Sequence, residues 1–380
     1  MAIDINDLEK KLAQHKVYDA WQYVKSLRET LGYMTVSYEL LSAVYTHRLS
    51  TLQALEQEML QRAISSGQAS YGISEMERTN LNIGGFSIDD VVFLRKTSME
   101  FFHYARISMD VLFQIANAAL LGDKAYAVDD KGLLRKLLTK LGGKPEFSKL
   151  LQLLDANKND VRYQYLTAFD NYIKHIKTIL ITVKNSFLIG DTNTFSLNEF
   201  CYGGTHYPSE NAIDKIQELN NYVTQTIEAI LEEVLLQIPN CYDNSHRIQA
   251  IKYKQIFQET EKGSVLEYMS FFIEVEQDLS ELPQEIKVLP LIIKPNDEIY
   301  SFDFKFDKIF IKKKGPTESD IIGCAHMKNG LETNEFYRTF TVTPCDIIEY
   351  YKYINTFKNT YSKITFNIYA MEGEMLFIKD

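Results

Sequence analysis

The sequence contains few of the residues that define several classes of protein. Its 380 residues include only 4 cysteines, 8 prolines, 17 glycines and 1 tryptophan. The four cysteines lie far apart and none falls in a CxxC pair, which argues against a disulfide framework and favours a reducing compartment. The low glycine and proline content excludes a collagen-like or linker-dominated chain.

Basic charge and long hydrophobic runs are also scarce. The chain carries 41 Lys and Arg against 51 Asp and Glu, a net charge of −10. Broad phosphate binding needs clustered cations, so a generic nucleic-acid coat is excluded, although a local RNA site is not. The apolar stretch 178–183 is far too short to span a bilayer, and the first residues contain no secretory signal. We expect a cytoplasmic protein without a membrane partner.

Familiar cofactor motifs are missing as well. Neither GxxxxGK[ST] nor GxGxxG occurs, and there is no HExxH or EF-hand loop. We therefore predict no cofactor and no metal site. Hydrophobic residues make up 45% of the chain, which is enough for more than one sizeable core.

The first two thirds of the chain show helical periodicity. Apolar residues recur at three- and four-residue spacing, and glycine pairs and prolines separate the segments. Ser87, followed by Asp89 and Asp90, predicts a cap and an acidic first turn. The segment Asn157–Asp160 can cap a later helix, whose tail Thr178–Phe187 is β-branched enough to end as an extended segment. The predicted helices are 5–30, 32–65, about 88–121, 130–141, 146–155, 161–183 and 209–237.

The last 140 residues differ in character, because aromatic and charged residues alternate with a period of two, as in a half-buried strand. Thr343-Pro344 predicts the start of a helix over 345–358, because proline is favoured at the first position of a helix. The fold class is thus a mainly α helical bundle followed by a smaller α+β domain. We predict helices packing on the bundle over 1–85, the bundle over 86–240 and the α+β domain over 241–380. The predicted strands are Ile286–Lys294, Ser301–Asp307, Phe336–Val342, Lys363–Tyr369 and Met375–Lys379.

One helix in the bundle carries an unusual set of polar residues. Asn171 and His175 are four residues apart and share a helix face, and Gln164, seven residues before Asn171, falls on it too. Lys174 sits close by. An amide, an imidazole and an ammonium together are unexpected inside a bundle, where apolar residues would be the rule.

The segment Asn171-Tyr-Ile-Lys-His175 resembles the signature of the HEPN superfamily. The stretch Tyr104–Asn117 is similar to a preceding core helix of that family, and Tyr207-Pro-Ser-Glu is similar to a loop of a bacterial subgroup. The resemblance covers about residues 88–238 and does not reach the C-terminal domain. It implies a small helical bundle of the kind found in bacterial toxins, phage-defence proteins and RNA-processing nucleases.

The resemblance implies metal-independent RNA cleavage at a site commonly shared across a homodimer. Active members have an Arg followed by a polar residue, with a His four to six positions after the Arg. His175 matches this His and Asn171 the polar residue, whereas the Arg position is Asp170, an anion that would repel phosphate. Other cations, from this chain or from a partner chain, could replace the Arg. These are Arg106, Lys174 and Lys177.

Three functions remain open on the sequence alone. The first is an endoribonuclease of stress or phage defence, with His175, Asn171 and Lys174 as catalytic residues. Arg106, Lys177 and Gln164 would contact RNA, and the C-terminal domain or a protein partner would regulate cleavage. The second is a non-catalytic interaction module, in which Asn171 and His175 form a structural hydrogen-bonded pair. The third is binding of RNA or a small ligand such as a nucleotide without cleavage.

Other chemistry-bearing residues are interpreted as structural. Cys324 and His326 would need two more ligands to bind a metal, and Cys345 is the only nearby thiol. As a nucleophile and base the pair lacks an orienting group. The pair of Cys201 and His206 has no metal-ligand spacing either.

Paired acids are interpreted as helix caps or as solvated surface charges. These pairs are Asp89-Asp90, Asp129-Asp130 and Glu232-Glu233.

Overall fold

A stripe of apolar residues explains the longest helix. Helix α2 (Trp21–Ser66) follows the shorter α1 (Ile5–Gln14). The predicted break between 5–30 and 32–65 is wrong, because Gly32 lies inside α2. The stripe continues on both sides of Gly32. The free energy gained by burying its side chains outweighs the roughly 1 kcal/mol that a glycine costs in a helix. The buried members of the stripe are Val24, Leu27, Met34, Leu41, Val44, Leu52 and Leu55.

The structure is a computed structural model, and the chain divides into two compact units. The helical unit comprises Tyr23–Ile115 and Gly132–Leu236, and the sheet unit comprises Asp4–Gln22, Ala116–Lys131 and Gln237–Asp380. The residues described are 5–15, 17, 20–67, 77–126, 132–178, 181–184, 194–242, 248–260, 263–293, 299–301, 307–314, 320–328, 338–361 and 374–378.

The prediction of a mainly helical N-terminal region followed by a smaller sheet-containing region is confirmed. Five further helices occupy the segments where periodicity predicted them, with shifts of up to four residues at their ends, except that the helix predicted over 161–183 ends at His175. They are α3 (Asp90–Leu121), α4 (Leu133–Leu141), α5 (Ser148–Asn159), α6 (Val161–His175) and α7 (Ala212–Gln237).

Carboxylates cap α3 and α6. The Oδ1 atom of Asp89 accepts a hydrogen bond from the backbone N–H of Val92 at 2.9 Å. The predicted cap Ser87 lies instead in the short strand β2 (Phe86–Ile88), which pairs with β1 (Leu81–Ile83). In α6, the side chain of Asp160 accepts from the N–H of Arg162, as the sequence predicted.

Short strands connect α6 to α7. The segment after α6 turns extended, as its β-branched residues predicted, and pairs with the strand that follows. A second hairpin comes next, joined by two glycines at positive φ. The strands are β3 (Ile181–Lys184), β4 (Thr194–Leu197), β5 (Phe200–Tyr202), β6 (Thr205–Tyr207) and β7 (Glu210–Asn211).

The sheet unit contains one large sheet that closes on itself. Strand β15 pairs with both β8 and β10, so the described strands form a ring in the order β10-β14-β13-β12-β9-β8-β15, with β11 attached to β10. The pairing of β12 with β9 is parallel, and the others are antiparallel. The strands are β8 (Ile248–Thr260), β9 (Gly263–Val275), β10 (Glu285–Ile293), β11 (Ile299–Ser301), β12 (Lys308–Lys313), β13 (Ile321–Met327), β14 (Arg338–Pro344) and β15 (Glu374–Ile378).

The strand predictions agree in part with this sheet. Strands β10, β14 and β15 lie within two residues of their predicted bounds. The predicted strand Lys363–Tyr369 and most of Ser301–Asp307 lie outside the described residues. The long hairpin of β8 and β9 was not predicted.

Helix α8 (Ile347–Tyr361) supplies an aromatic core to the sheet. The ring of Tyr350, 1% exposed, lies 5.5 Å from that of Phe272 on β9 and 4.9 Å from that of Phe310 on β12. Its hydroxyl is 3.3 Å from Oγ of Ser270. These contacts hold the start of α8 against β9 and β12.

Two glycine-to-alanine variants should have opposite effects. A Cβ at Gly323 would meet the backbone oxygen of Thr343 at 3.0 Å and the Cδ1 atom of Leu279 at 2.5 Å, whereas a Cβ at Gly32 meets nothing within 4 Å. We expect Gly323→Ala to lower the free energy of unfolding by about 1–3 kcal/mol. Gly32→Ala, the matched control, should raise it by up to about 1 kcal/mol. Urea unfolding measures both, and equal destabilisation would contradict the prediction.

None of the described helices combines the length and hydrophobicity needed to cross a bilayer.

Candidate functional site

Aromatic packing holds α3 against α6. The rings of Phe102 and Phe169 stack with centroids 3.9 Å apart, and Tyr165 lies against both. Both phenylalanines are fully buried. Each is followed by a polar residue, His103 on α3 and Asp170 on α6, so the stacking brings these two side chains together.

Asp170 is the centre of a buried polar cluster. Its side chain is only 4% exposed, and Oδ2 accepts a hydrogen bond from Nζ of Lys174 at 2.6 Å. Nδ1 of His103 lies 3.4 Å from Oδ1 of the same carboxylate. A buried carboxylate requires such partners, because an unpaired buried charge is costly. The negative charge of Asp170 is therefore neutralised within the helical unit.

Arg106 adds a second ion pair one turn along α3. Its guanidinium donates to Oδ1 of Asp110 and lies 5.5 Å from the centroid of the Tyr163 ring on α6. Its side chain is 16% exposed. Burial raises the pKa of the Tyr163 hydroxyl, which stays neutral at pH 7. Burial lowers the pKa of the Arg106 guanidinium, but the negative charges of Asp110 and Asp170 outweigh this effect and raise it. The two ion pairs therefore form one cluster.

This α3–α6 cluster (His103, Arg106, Asp110, Asp170 and Lys174) can support proton transfer. A carboxylate only accepts hydrogen bonds, so Asp170 favours the His103 tautomer with its proton on Nδ1. In the neutral ring Nε2 then carries a lone pair. The imidazole is 43% exposed, which leaves it open to a substrate. The same pairing of a carboxylate with a histidine orients general bases in hydrolases.

The structure places the sequence-predicted residues unequally. Lys174 and Arg106 both belong to the α3–α6 cluster. Asn171 is half-buried, and His175 is the exposed last residue of α6. No side-chain hydrogen bond joins Asn171 to His175, both of which lie in the described part of α6. The other two predicted RNA contacts, Gln164 on α6 and Lys177 just beyond it, are exposed.

His103 was missed by the sequence analysis, although the sequence contained a signal. It lies three residues before Arg106 and seven before Asp110, so the three share one helix face. We had interpreted this helix as core packing from its apolar stripe. The polar stripe beside it contains three of the five residues of the cluster.

Two acids interpreted as caps or surface charges are in fact buried. Asp90 is 2% exposed and pairs with Arg48 of α2, which is 3% exposed and also donates to Thr79 at 3.5 Å. Glu233 is 3% exposed and pairs with Lys149 at 2.9 Å. Both carboxylates join helices inside the helical unit, because each has a cation within reach on another helix.

The two Cys–His pairs differ in their surroundings. Cys201 and His206 face each other across the β5–β6 hairpin, and Nε2 of His206 lies 3.2 Å from Oε2 of Glu199. Cys324 and His326 lie on β13, with Sγ 3.0 Å from Nε2, so His326 is not the loop residue we expected.

The comparisons with known proteins concern the sheet unit. Residues 248–367, about a third of the chain, match the model of a domain of unknown function, DUF8310. No curated protein and no solved structure matches the chain. The matched segment includes Cys324 and His326 and leaves the α3–α6 cluster outside.

Proposed function

We propose that the helical unit is a HEPN-like domain that cleaves RNA without a metal ion, and that the α3–α6 cluster is its active site. One observation carries the proposal. Asp170, the residue immediately before the segment that resembles the HEPN signature, pairs with both His103 and Lys174. Arg106 lies beside this group. An imidazole and two cations thus lie where the resemblance implies a single Arg.

The chemistry follows from these groups. Nε2 of His103 takes the proton of the ribose 2′-hydroxyl, and the oxygen attacks the adjacent phosphate. The bond from phosphorus to the 5′-oxygen breaks, and His175 gives that oxygen a proton. The products are a 2′,3′-cyclic phosphate and a 5′-hydroxyl. Lys174 and Arg106 stabilise the negative charge that develops on the phosphate oxygens, and Asn171, Gln164 and Lys177 contact the RNA.

A second function is favoured by the charge balance of the cluster. Both cations are already paired, Arg106 with Asp110 and Lys174 with Asp170. Two cations and two anions leave no excess positive charge for a phosphate while His103 is neutral. This balance favours a non-catalytic interaction module that keeps the bundle, in which the polar cluster fixes the packing of α3 on α6.

Cleavage of a labelled RNA pool in EDTA distinguishes these functions. We expect wild-type protein to yield 2′,3′-cyclic phosphate ends, and His103→Ala and His175→Ala each to reduce the rate about 100-fold. His47→Ala, which removes an exposed histidine of α2, is the matched control and should cleave like wild type.

Each other outcome has a definite meaning. The absence of cleavage by wild type would replace the nuclease with the interaction module. Equal cleavage by wild type and both variants would remove the activity from this cluster. Loss in His175→Ala but not in His103→Ala would leave the nuclease in place and exclude His103 as its base.

A further inference from the structure

Three side chains that can bind a metal converge in the sheet unit, far along the chain from the proposed nuclease site, and a histidine lies beside one of them. Cys324 and His326 are two residues apart on β13 and therefore lie on the same face of the sheet. Strand β14 pairs with β13 so that Thr343 lies opposite Cys324. Cys345 directly follows β14, and Glu349 lies in the first turn of α8.

The start of α8 is fixed in a way that positions Glu349. The Oδ1 atom of Asp346 accepts hydrogen bonds from the N–H groups of Ile348 and Glu349, each at 3.0 Å. This is an N-cap, so the turn between Cys345 and Glu349 has a defined geometry. The buried ring of Tyr350 holds the same turn against the sheet.

The distances bring three ligands close enough for one tetrahedral ion. One ligand atom each of Cys324, Cys345 and Glu349 lies within 4.8 Å of the others. His326 lies outside this group of three, with its Nε2 atom 3.0 Å from Sγ of Cys324. Ligands of a tetrahedral Zn²⁺ lie about 3.3–3.8 Å apart, as follows from metal–ligand bonds of about 2.0–2.3 Å. The three ligand atoms need to move by about 1 Å to reach that spacing, and the His326 ring has to turn toward the ion to become the fourth ligand.

The chemistry of the cluster also fits a cation. Two thiolates, an imidazole and a carboxylate are donors that Zn²⁺ accepts together.

We propose that Cys324, His326, Cys345 and Glu349 form a structural zinc site. Four protein ligands close the coordination sphere, as in structural rather than catalytic zinc sites. The ion would fasten the first turn of α8 to β13 and to the end of β14. Cys324 and His326 alone lack two ligands, and the fold supplies them as Cys345 and Glu349.

Metal binding by the reduced full-length chain tests the proposal. After treatment with a chelator and its removal, we expect the protein to bind one Zn²⁺ per chain in competition with a chromophoric chelator. Cobalt(II) should show thiolate-to-metal charge-transfer absorption. Zinc should also raise the melting temperature, because it binds the folded state and the unfolded chain holds no preformed site.

Variants identify the ligands. We expect Cys345→Ser to weaken zinc binding about 100-fold or more and Glu349→Gln more than about 10-fold, because even groups outside the ligand shell change affinity 10–100-fold. Both residues are at least partly exposed, so these variants should fold, which circular dichroism checks. The matched controls Cys201→Ser and Cys241→Ser should bind zinc like wild type.

Three results would overturn the site. The first is no zinc uptake by the reduced, folded protein. The second is uptake that Cys345→Ser and Glu349→Gln leave unchanged. The third is a Cys324–Cys345 disulfide in the purified chain combined with no zinc uptake after reduction, which would identify a redox pair instead.

Discussion

Arg48→Met should lower the free energy of unfolding of the helical unit by about 3–5 kcal/mol. The substitution keeps an unbranched apolar stem and removes the charge, so Asp90 is left as a buried carboxylate without its cation. Thr79, which also accepts a hydrogen bond from the guanidinium, is neutral and cannot replace that charge. Urea unfolding followed by far-ultraviolet circular dichroism measures the change.

A double-mutant cycle separates the lost charge pair from lost packing. We expect Arg48→Met combined with Asp90→Asn to be more stable than Arg48→Met alone, because no buried charge is then unpaired. The exposed pair of Lys96 and Glu100 is the matched control, and its removal should change stability by less than about 0.5 kcal/mol. A loss of this small size in Arg48→Met would show that Asp90 does not depend on the ion pair.

The sequence was informative wherever a single periodicity decided the structure. Helices α3, α5, α6 and α7 follow from apolar stripes bounded by caps and breakers, which act within one segment. Gly32 shows that a single glycine does not reliably predict the end of a helix, since the apolar stripe of α2 continues through it. The ring closure of the sheet could not be predicted, because β10 and β15 are about 85 residues apart and alternation does not specify a strand's partner.

The candidate sites are harder to predict because the partners of each polar residue lie in other segments of the chain. Asp90 and Glu233 were interpreted as caps or surface charges, since nothing in the sequence shows that Arg48 and Lys149 approach them from other helices. The sequence does not show that Cys345 and Glu349 approach Cys324 either. Strand pairing and the turn into α8 bring these three residues together.

The position of Asp170 leads to the last prediction. The HEPN resemblance implies an Arg there, and restoring it by Asp170→Arg should lower the free energy of unfolding by about 3–5 kcal/mol. The position is 3% exposed, and the new guanidinium would be buried beside Lys174 and near Arg106 without a carboxylate of its own. Lys174 and His103 would lose their partner as well.

His175→Arg is the matched control, because it adds the same side chain to α6 at an exposed position. We expect it to change stability by less than about 0.5 kcal/mol. Urea unfolding compares the two variants with wild type. If Asp170→Arg were as stable as wild type and cleaved RNA faster, the position would tolerate the Arg that the HEPN resemblance implies, and the cluster would not need its anion. If Asp170→Arg is destabilised as expected, the Asp170 carboxylate is required by its cationic neighbours, and a nuclease in this chain would have to use Lys174 and Arg106 in place of that Arg.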